Sequence, residues 1–202
     1  MLLFDFDGTI TKNFEMVLSL WKEFGKKLGV KITKKQFREN NNPQWQNFVK
    51  DNFNLEIKEC EEIFNKIIVD KYKKKILKEK LIPEIVEYLK NQDFGIVTSG
   101  FSPAVKNIVE KYELKPKIII SSLETGTSDK KELIKHALKK VQAEWYIGDT
   151  EQDIRAAHEN NLKAIGVTWG FQNKKRLEKA KPEHIIPKPE QLINILRTLK
   201  NN

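Results

Sequence analysis

Two hydrophobic periods divide this chain. From Phe14 to Lys80 the apolar residues recur at helical spacing, as in Val17, Leu20, Trp21, Phe24 and Leu28 and again in Ile63, Phe64, Ile67 and Ile68. No run in that stretch reads as a strand, so the spacing predicts a small helical bundle. Thr33 stands where a helix running to about Glu39 needs an N-cap, and the Asn40-Asn41-Asn42-Pro43 break separates it from the next helix. Beyond Pro83, short β-rich runs alternate with amphipathic stretches of helix length. The runs are Phe94-Gly95-Ile96-Val97, Lys117 to Ile120, Trp145-Tyr146-Ile147 and Ala164-Ile165-Gly166-Val167. Ser102-Pro103 and Thr150-Glu151 carry the chemistry of helix starts. Leu192, Ile195, Leu196 and Leu199 give a last helix, about Pro189 to Leu199, one apolar stripe.

Strands alternating with helices predict an α/β fold with a mostly parallel sheet covered on both faces. A first strand, Leu2 to Phe6, precedes the helical stretch, so that stretch is an insertion into the sheet domain. The expected organisation is an α/β core of residues 1–12 and 81–202 and a helical domain of residues 13–80. Joins near Thr11–Phe14 and Lys80–Pro83 make a two-stranded hinge.

Composition narrows the setting. At 202 residues and 39% apolar, the chain can bury a core. Its apolar stretches are far shorter than the roughly 20 residues a membrane helix needs, so no membrane partner is expected. The N-terminus lacks the basic segment and long apolar run of a secretory signal, and Cys60 is the sole cysteine, both in keeping with a reducing, cytoplasmic location. Cys60 lies in a charged helical stretch and reads as an unreactive helix residue. Of the net charge of +9, residues 12–80 carry +7, from seventeen Lys/Arg against ten Asp/Glu. A solvated helical surface explains this first, and attraction of anionic substrates second. Nucleic acid is not expected as a partner, because Lys73-Lys74-Lys75 has no aromatic platform beyond Tyr72.

Candidate chemistry sits at the strand ends. Asp5 and Asp7 stand where the first strand gives way to a glycine turn, and two carboxylates so close repel unless a cation or shared proton lies between them. The next ends supply Thr98-Ser99-Gly100, then Ser128-Asp129-Lys130-Lys131, then Gly148-Asp149-Thr150-Glu151-Gln152-Asp153. Singly, each group reads as a turn or helix cap. Together they fall where open parallel sheets gather ligands, beyond the carboxyl ends of the strands.

The ordered set Asp5–Thr11 (DFDGTIT), Ile96–Gly100 (IVTSG), Asp129–Leu138 (DKKELIKHAL) and Tyr146–Asp153 (YIGDTEQD) resembles the motif series of the haloacid dehalogenase-like phosphatases, over nearly the whole chain. The resemblance implies a Rossmann-like, doubly wound core with an inserted α-helical cap. A helical insertion directly after the first motif is similar to the subgroup of phosphoglycolate phosphatases and sugar-phosphate mutases. The run from Ala164 to Phe171 is similar to phosphoglycolate phosphatase-type members.

That resemblance also implies a chemistry for the site. Asp5 attacks phosphorus and forms an aspartyl-phosphate, and Asp7 protonates the leaving alkoxide and later deprotonates water. The implied cofactor is Mg²⁺, held by the Asp5 side chain, the Asp7 backbone carbonyl and Asp149, with Asp153 orienting this set. Thr98, with backbone donors of Ser99 and Gly100, holds the phosphate oxygens, and Lys130 neutralises phosphate and Asp5. The Lys-x-Glu-aliphatic pattern fits best from Lys130, with Lys131 left open as the alternative. The cap closes over a small-molecule phosphate ester, and Arg38, Asn42 and Trp45 are candidates for choosing it. Asn42 departs from the glycine frequent there in relatives. Trp169 and Phe171 are expected to pack under the loop after the fourth strand, and His136, His158 and His184 have no metal-ligand spacing. A phosphotransferase of the mutase kind, and a non-catalytic phosphate- or RNA-binding module, remain alternatives on the residues alone, as do monomer and homodimer.

Overall fold

The β-rich runs lie side by side as one parallel sheet in the computed structural model, which describes residues 1–39, 62–63, 66–67, 80–99 and 102–200. The strands are β1 (Leu2–Phe4), β2 (Phe94–Thr98), β3 (Ile118–Ser121), β4 (Trp145–Gly148), β5 (Lys163–Val167) and β6 (His184–Ile186). Their order is β3-β2-β1-β4-β5-β6, with every pairing parallel. The chain thus winds outward from β1 through β2 to β3, then crosses back to the other side of β1 for β4. That reversal beside β1 is the topological switch point of a doubly wound sheet, where a crevice opens at the carboxyl ends of the strands.

The described helices are α1 (Phe14–Lys27), α2 (Lys34–Glu39), α3 (Pro83–Leu89), α4 (Ser102–Lys111), α5 (Ser122–Thr125), α6 (Lys130–Leu138), α7 (Glu151–Glu159), α8 (Lys174–Lys179) and α9 (Pro189–Lys200). Side chains alternate across the pleat, so neighbouring strand residues enter different cores. Phe4, Ile96, Ile147 and Ile165 face one way, onto Ile85 and Leu89 of α3, Val105 and Val109 of α4, and Leu192 and Leu196 of α9. Leu3, Val97, Tyr146 and Ala164 face the other way, onto Leu133 and Ile134 of α6, Ile154 and Ala157 of α7, and Leu177 of α8. Burial on both faces explains why these strands read as continuous apolar runs.

Two details differ from the sequence reading. The first strand ends at Phe4, not Phe6, because the Phe6 carbonyl is taken by the turn after it, accepting from the N–H groups of Thr9, Ile10 and Thr11. The sixth strand and the short α5 were not expected; each is only three or four residues long, too short to establish a period.

Two compact units partition the chain, Met1–Lys12 with Lys80–Asn202, and Asn13–Glu79. In the first unit the two passages that frame the insertion run side by side. Thr11 and Leu81 form an antiparallel bridge, Lys12 N–H donates to Lys80 O at 2.7 Å, and Ile82 N–H donates to Ile10 O at 3.0 Å. In the second unit, α1 ends in a Schellman turn, with Gly29 at φ +72° and Val30 N–H on Gly25 O at 2.8 Å. Thr33 and Gln36 cap α2 reciprocally, Gln36 N–H reaching Thr33 Oγ1 at 3.2 Å and Thr33 N–H reaching Gln36 Oε1 at 3.1 Å. Phe37 then stacks edge-on against Phe14 at 5.8 Å, and Trp21 against Phe24 at 5.5 Å. Cys60 lies outside the described residues.

Candidate active site

The turn after β1 is built around Gly8 and Thr11. Gly8 takes φ +79°, and its N–H donates to Thr11 Oγ1 at 3.1 Å, while the Thr11 hydroxyl donates to Phe6 O at 3.1 Å. A left-handed residue allows so tight a reversal, and glycine adopts it without steric cost. Asp5 sits just before this turn, its N–H on Ile147 O at 2.8 Å, so its carboxyl group projects from the end of the sheet between β1 and β4. It is only 6% exposed.

Opposite Asp5, Asp129 caps α6 by accepting from Lys131 N–H at 2.9 Å. Lys130, the first residue of that helix, is 4% exposed and turns inward. Its ammonium donates to Asp5 Oδ1 at 2.5 Å and to Val97 O at 3.4 Å, and lies 3.1 Å from Asp153 Oδ1. Lys131 points away and pairs with Glu159 at 3.3 Å on the exposed surface.

Asp149 follows β4 and is completely buried. Its Oδ2 accepts from Phe171 N–H at 2.5 Å, and its Oδ1 receives a long contact from the Thr9 hydroxyl at 3.5 Å. Asp153 is committed elsewhere. Its Oδ2 accepts from Thr150 N–H at 3.1 Å and Thr150 Oγ1 at 2.5 Å, while its own N–H donates back to Thr150 Oγ1, completing a capping box at the start of α7. Its Oδ1 meets Lys130 and, at 3.4 Å, the Tyr146 hydroxyl, which also donates to Val97 O at 3.0 Å.

Electrostatics concentrate here. Ligand oxygens of Asp5, Asp149 and Asp153 lie within 4.8 Å of one another. Two unit charges at that distance repel by about 3–4 kcal/mol at an effective dielectric of about 20. Burial, opposed by Lys130 and reinforced by Asp153 and Asp7, lifts the Asp5 carboxyl to about 7. Burial together with Asp5 and Asp153 raises Asp149 well above the usual carboxylate range, against the pull of the Phe171 N–H. Burial alone would lower the Lys130 ammonium, but Asp153 and Asp5 hold it well above its ordinary value. One ammonium cannot offset this many carboxylates. A cluster of hard oxygen donors with surplus negative charge fits a bound metal ion.

The other candidate residues have varied surroundings. Asp7 is half-buried in the turn, close enough for its charge to act on Asp5. Thr98 is buried at the end of β2, and Ser99 is exposed, its carbonyl accepting from Ser122 Oγ at 3.1 Å. Gly100, Asn42 and Trp45 lie outside the described residues. Arg38, in the other unit, lays its guanidinium over the Phe14 ring at 4.4 Å. Trp169 and Phe171 reach further than expected. Trp169 Nε1 donates to Thr9 O at 3.1 Å, and a side chain added at Gly8 would meet the Phe171 ring at 2.7 Å, so both engage the turn after β1. The histidines stand apart, on Glu132 O, on Glu183 and against the Trp145 ring.

Sequence reasoning missed Tyr146, Thr9 and Gly170. Thr150 with Asp153 carried a readable signal, the Ser/Thr-x-x-Asp/Glu spacing of a capping box. Tyr146 looked like any strand aromatic, and nothing local marks its hydroxyl as a partner of Asp153.

The family model of the haloacid dehalogenase-like hydrolases matches residues 2–167, and the chain belongs to that family. A provisionally named pyrophosphatase, PpaX, from Caldanaerobacter subterraneus subsp. tengcongensis is 26% identical over 96% of this chain and 93% of its own. A phosphoglycolate phosphatase from Synechococcus elongatus is 24% identical over 52% of this chain and 51% of its own. The fold matches a haloacid dehalogenase-like hydrolase from Streptococcus pneumoniae at a TM-score of 0.78, 23% identical, over 96% of this chain and 97% of that one. Both curated relatives carry phosphatase names within the haloacid dehalogenase-like hydrolase family to which the chain belongs. Among the described residues, no helix is long and apolar enough to cross a membrane.

Proposed function

We propose that this chain is a Mg²⁺-dependent phosphatase acting on a small anionic phosphate monoester of the phosphoglycolate kind, in the cytoplasm. The observation that carries this reading is Asp5, buried at the switch point, bonded to Lys130 and clustered with Asp149.

An Asp5 oxygen attacks phosphorus and forms the aspartyl-phosphate as the P–O bond to the leaving group breaks. The leaving alkoxide takes a proton from Asp7. Asp7 then accepts a proton from water as that water attacks phosphorus. The P–O bond to Asp5 breaks, returning the free carboxylate and inorganic phosphate. Lys130 lowers the charge of Asp5 and of the phosphate, and Thr98 with the N–H groups of Ser99 and Gly100 binds the non-bridging oxygens. Mg²⁺, held by the Asp5 carboxylate, the Asp7 carbonyl and Asp149, would supply charge compensation between anionic nucleophile and anionic phosphate. Asp153, with both oxygens already occupied, orients Lys130.

The unit of residues 13–79 serves as the cap that excludes water and selects the leaving group. Arg38 on α2 is the proposed grip for a substrate carboxylate, bound bidentately by its guanidinium. The test is phosphate release over phosphoglycolate, sugar phosphates, nucleotides and pyrophosphate, by native chain and Asp5→Asn, with Mg²⁺ and with chelator. Turnover of small anionic esters, lost in Asp5→Asn and in chelator, is the expected result. Phosphate that moves only to an added sugar acceptor would replace hydrolysis by phosphotransfer. Turnover surviving in Asp5→Asn would remove Asp5 as nucleophile.

A further inference from the structure

The segment after β5, Trp169-Gly170-Phe171-Gln172, is tied to the site at several points, and the proposed hydrolysis draws on none of them. Trp169 Nε1 donates to Thr9 O at 3.1 Å, and Phe171 N–H donates to Asp149 Oδ2 at 2.5 Å. The fully buried Gln172 accepts from Glu151 N–H through Oε1 at 2.7 Å. Between these ties Gly170 lies flat against the Asp149 carboxylate. A Cβ at Gly170 would stand 2.0 Å from Oδ2 and 2.5 Å from the Asp149 Cβ and Cγ. Gly8 closes the other side, where a Cβ would stand 2.4 Å from the same Oδ2. One Asp149 oxygen is therefore enclosed by two backbones that lack side chains and is hydrogen-bonded by a third. The other oxygen, Oδ1, has only the long Thr9 contact at 3.5 Å among the described residues.

We infer that Trp169, Gly170 and Phe171 form a positioning strap that withholds Asp149 Oδ2 and presents Oδ1 alone to a bound cation, selecting a small six-coordinate ion over a larger one. Mg²⁺ takes six oxygens in a strict octahedron, which a carboxylate bound through one oxygen suits. Ca²⁺ takes six to eight ligands and gains from carboxylates bound through both oxygens, which the strap denies to Asp149. Oxygen ligands held by a neighbouring hydrogen bond also lose less freedom on binding. None of the strap residues touches substrate in this scheme; they act through Asp149. This inference rests on reading Asp149 as an ion ligand.

The experiment is isothermal titration of the full-length chain with MgCl₂ and with CaCl₂, for the native protein, Gly170→Ala and Trp169→Phe, each checked for folding by circular dichroism. The native chain binds Mg²⁺ in preference to Ca²⁺. In Gly170→Ala the added methyl group displaces the Asp149 carboxylate, Mg²⁺ affinity falls by about 10–100-fold, the range for lost outer-shell support, and Ca²⁺ affinity falls less, so the preference collapses. Trp169→Phe moves the ratio the same way by a smaller factor, and it decides the matter if Gly170→Ala does not fold. A general loosening of the fold lowers both affinities together and leaves their ratio at the native value. That unchanged ratio in a folded Gly170→Ala, or in Trp169→Phe where it must decide, overturns the strap while leaving Asp149 as a ligand. Absence of Mg²⁺ binding by the native chain overturns the ion reading and the strap with it.

Discussion

Lys130 is the one ammonium bonded into a buried group of carboxylates among the described residues, so replacing it by methionine, an unbranched apolar chain, tests how the site is held together. In Lys130→Met the contacts to Asp5 at 2.5 Å and Asp153 at 3.1 Å disappear, and side chains 6%, 0% and 1% exposed at Asp5, Asp149 and Asp153 lose their cation. Removing one partner of a buried ion pair costs about 3–5 kcal/mol. At roughly 2–4 °C per kcal/mol for a chain of this size, the melting temperature falls by about 6–20 °C. The penalty depends on pH. Asp5 has its folded-state value raised from 3.8 to about 7, so its contribution to stability is full below about 4 and is lost as pH rises through 7. Without the ammonium that value rises further, so at pH 5 Asp5 is neutral in native and variant chains, and at pH 8 the variant alone must keep it neutral or bear an unpaired charge. Differential scanning calorimetry in chelator at pH 5 and pH 8 therefore shows the larger gap at pH 8. In the background of Asp5→Asn the same substitution costs less, a coupling of about 0.5–3 kcal/mol. An equal gap at both pH values would mean that the Lys130 methylenes, not its charge, carry its effect, and the account of the cluster would be wrong.

On the proposed ion site, a divalent cation would compete with protons for Asp5 and Asp149, whose carboxyl groups are both raised, so Mg²⁺ is expected to raise the melting temperature more at pH 8 than at pH 5.5. Thermal-shift titrations at the two values check this, and the reverse order would contradict it. Thr150→Ala removes the hydroxyl half of the capping box at α7, while the backbone N–H of residue 150 still reaches Asp153, and costs about 0.5–2 kcal/mol by denaturant unfolding. It also lowers turnover, because Asp153 loses the hydroxyl that helps aim it at Lys130; unaltered turnover would show that the backbone N–H of residue 150 alone keeps Asp153 in place.

Much of this protein is legible along the chain because its determinants are local. Period-two and helical spacing, a threonine or aspartate before a helix, and a glycine after paired aspartates each act within a few residues, so the insertion, the parallel sheet and the polar strand ends are readable from residue order alone. The three-residue β6 is not, since it pairs only because β5 offers a free edge. Lys130 and Lys131 are neighbours of one type, and only the helix phase set by Asp129 turns the first toward Asp5, 125 residues away in the chain, and the second toward Glu159. The Tyr146 hydroxyl, the Thr9 contacts and the enclosure of Asp149 by Gly8 and Gly170 likewise depend on how strand ends and loops pack together in space. Residue type and spacing determined which chemistry this chain could hold. The packing of distant loops against the ends of the sheet decided which atoms face one another, because separations of 2.5–3.5 Å between such groups are fixed by the tertiary fold and by nothing nearer.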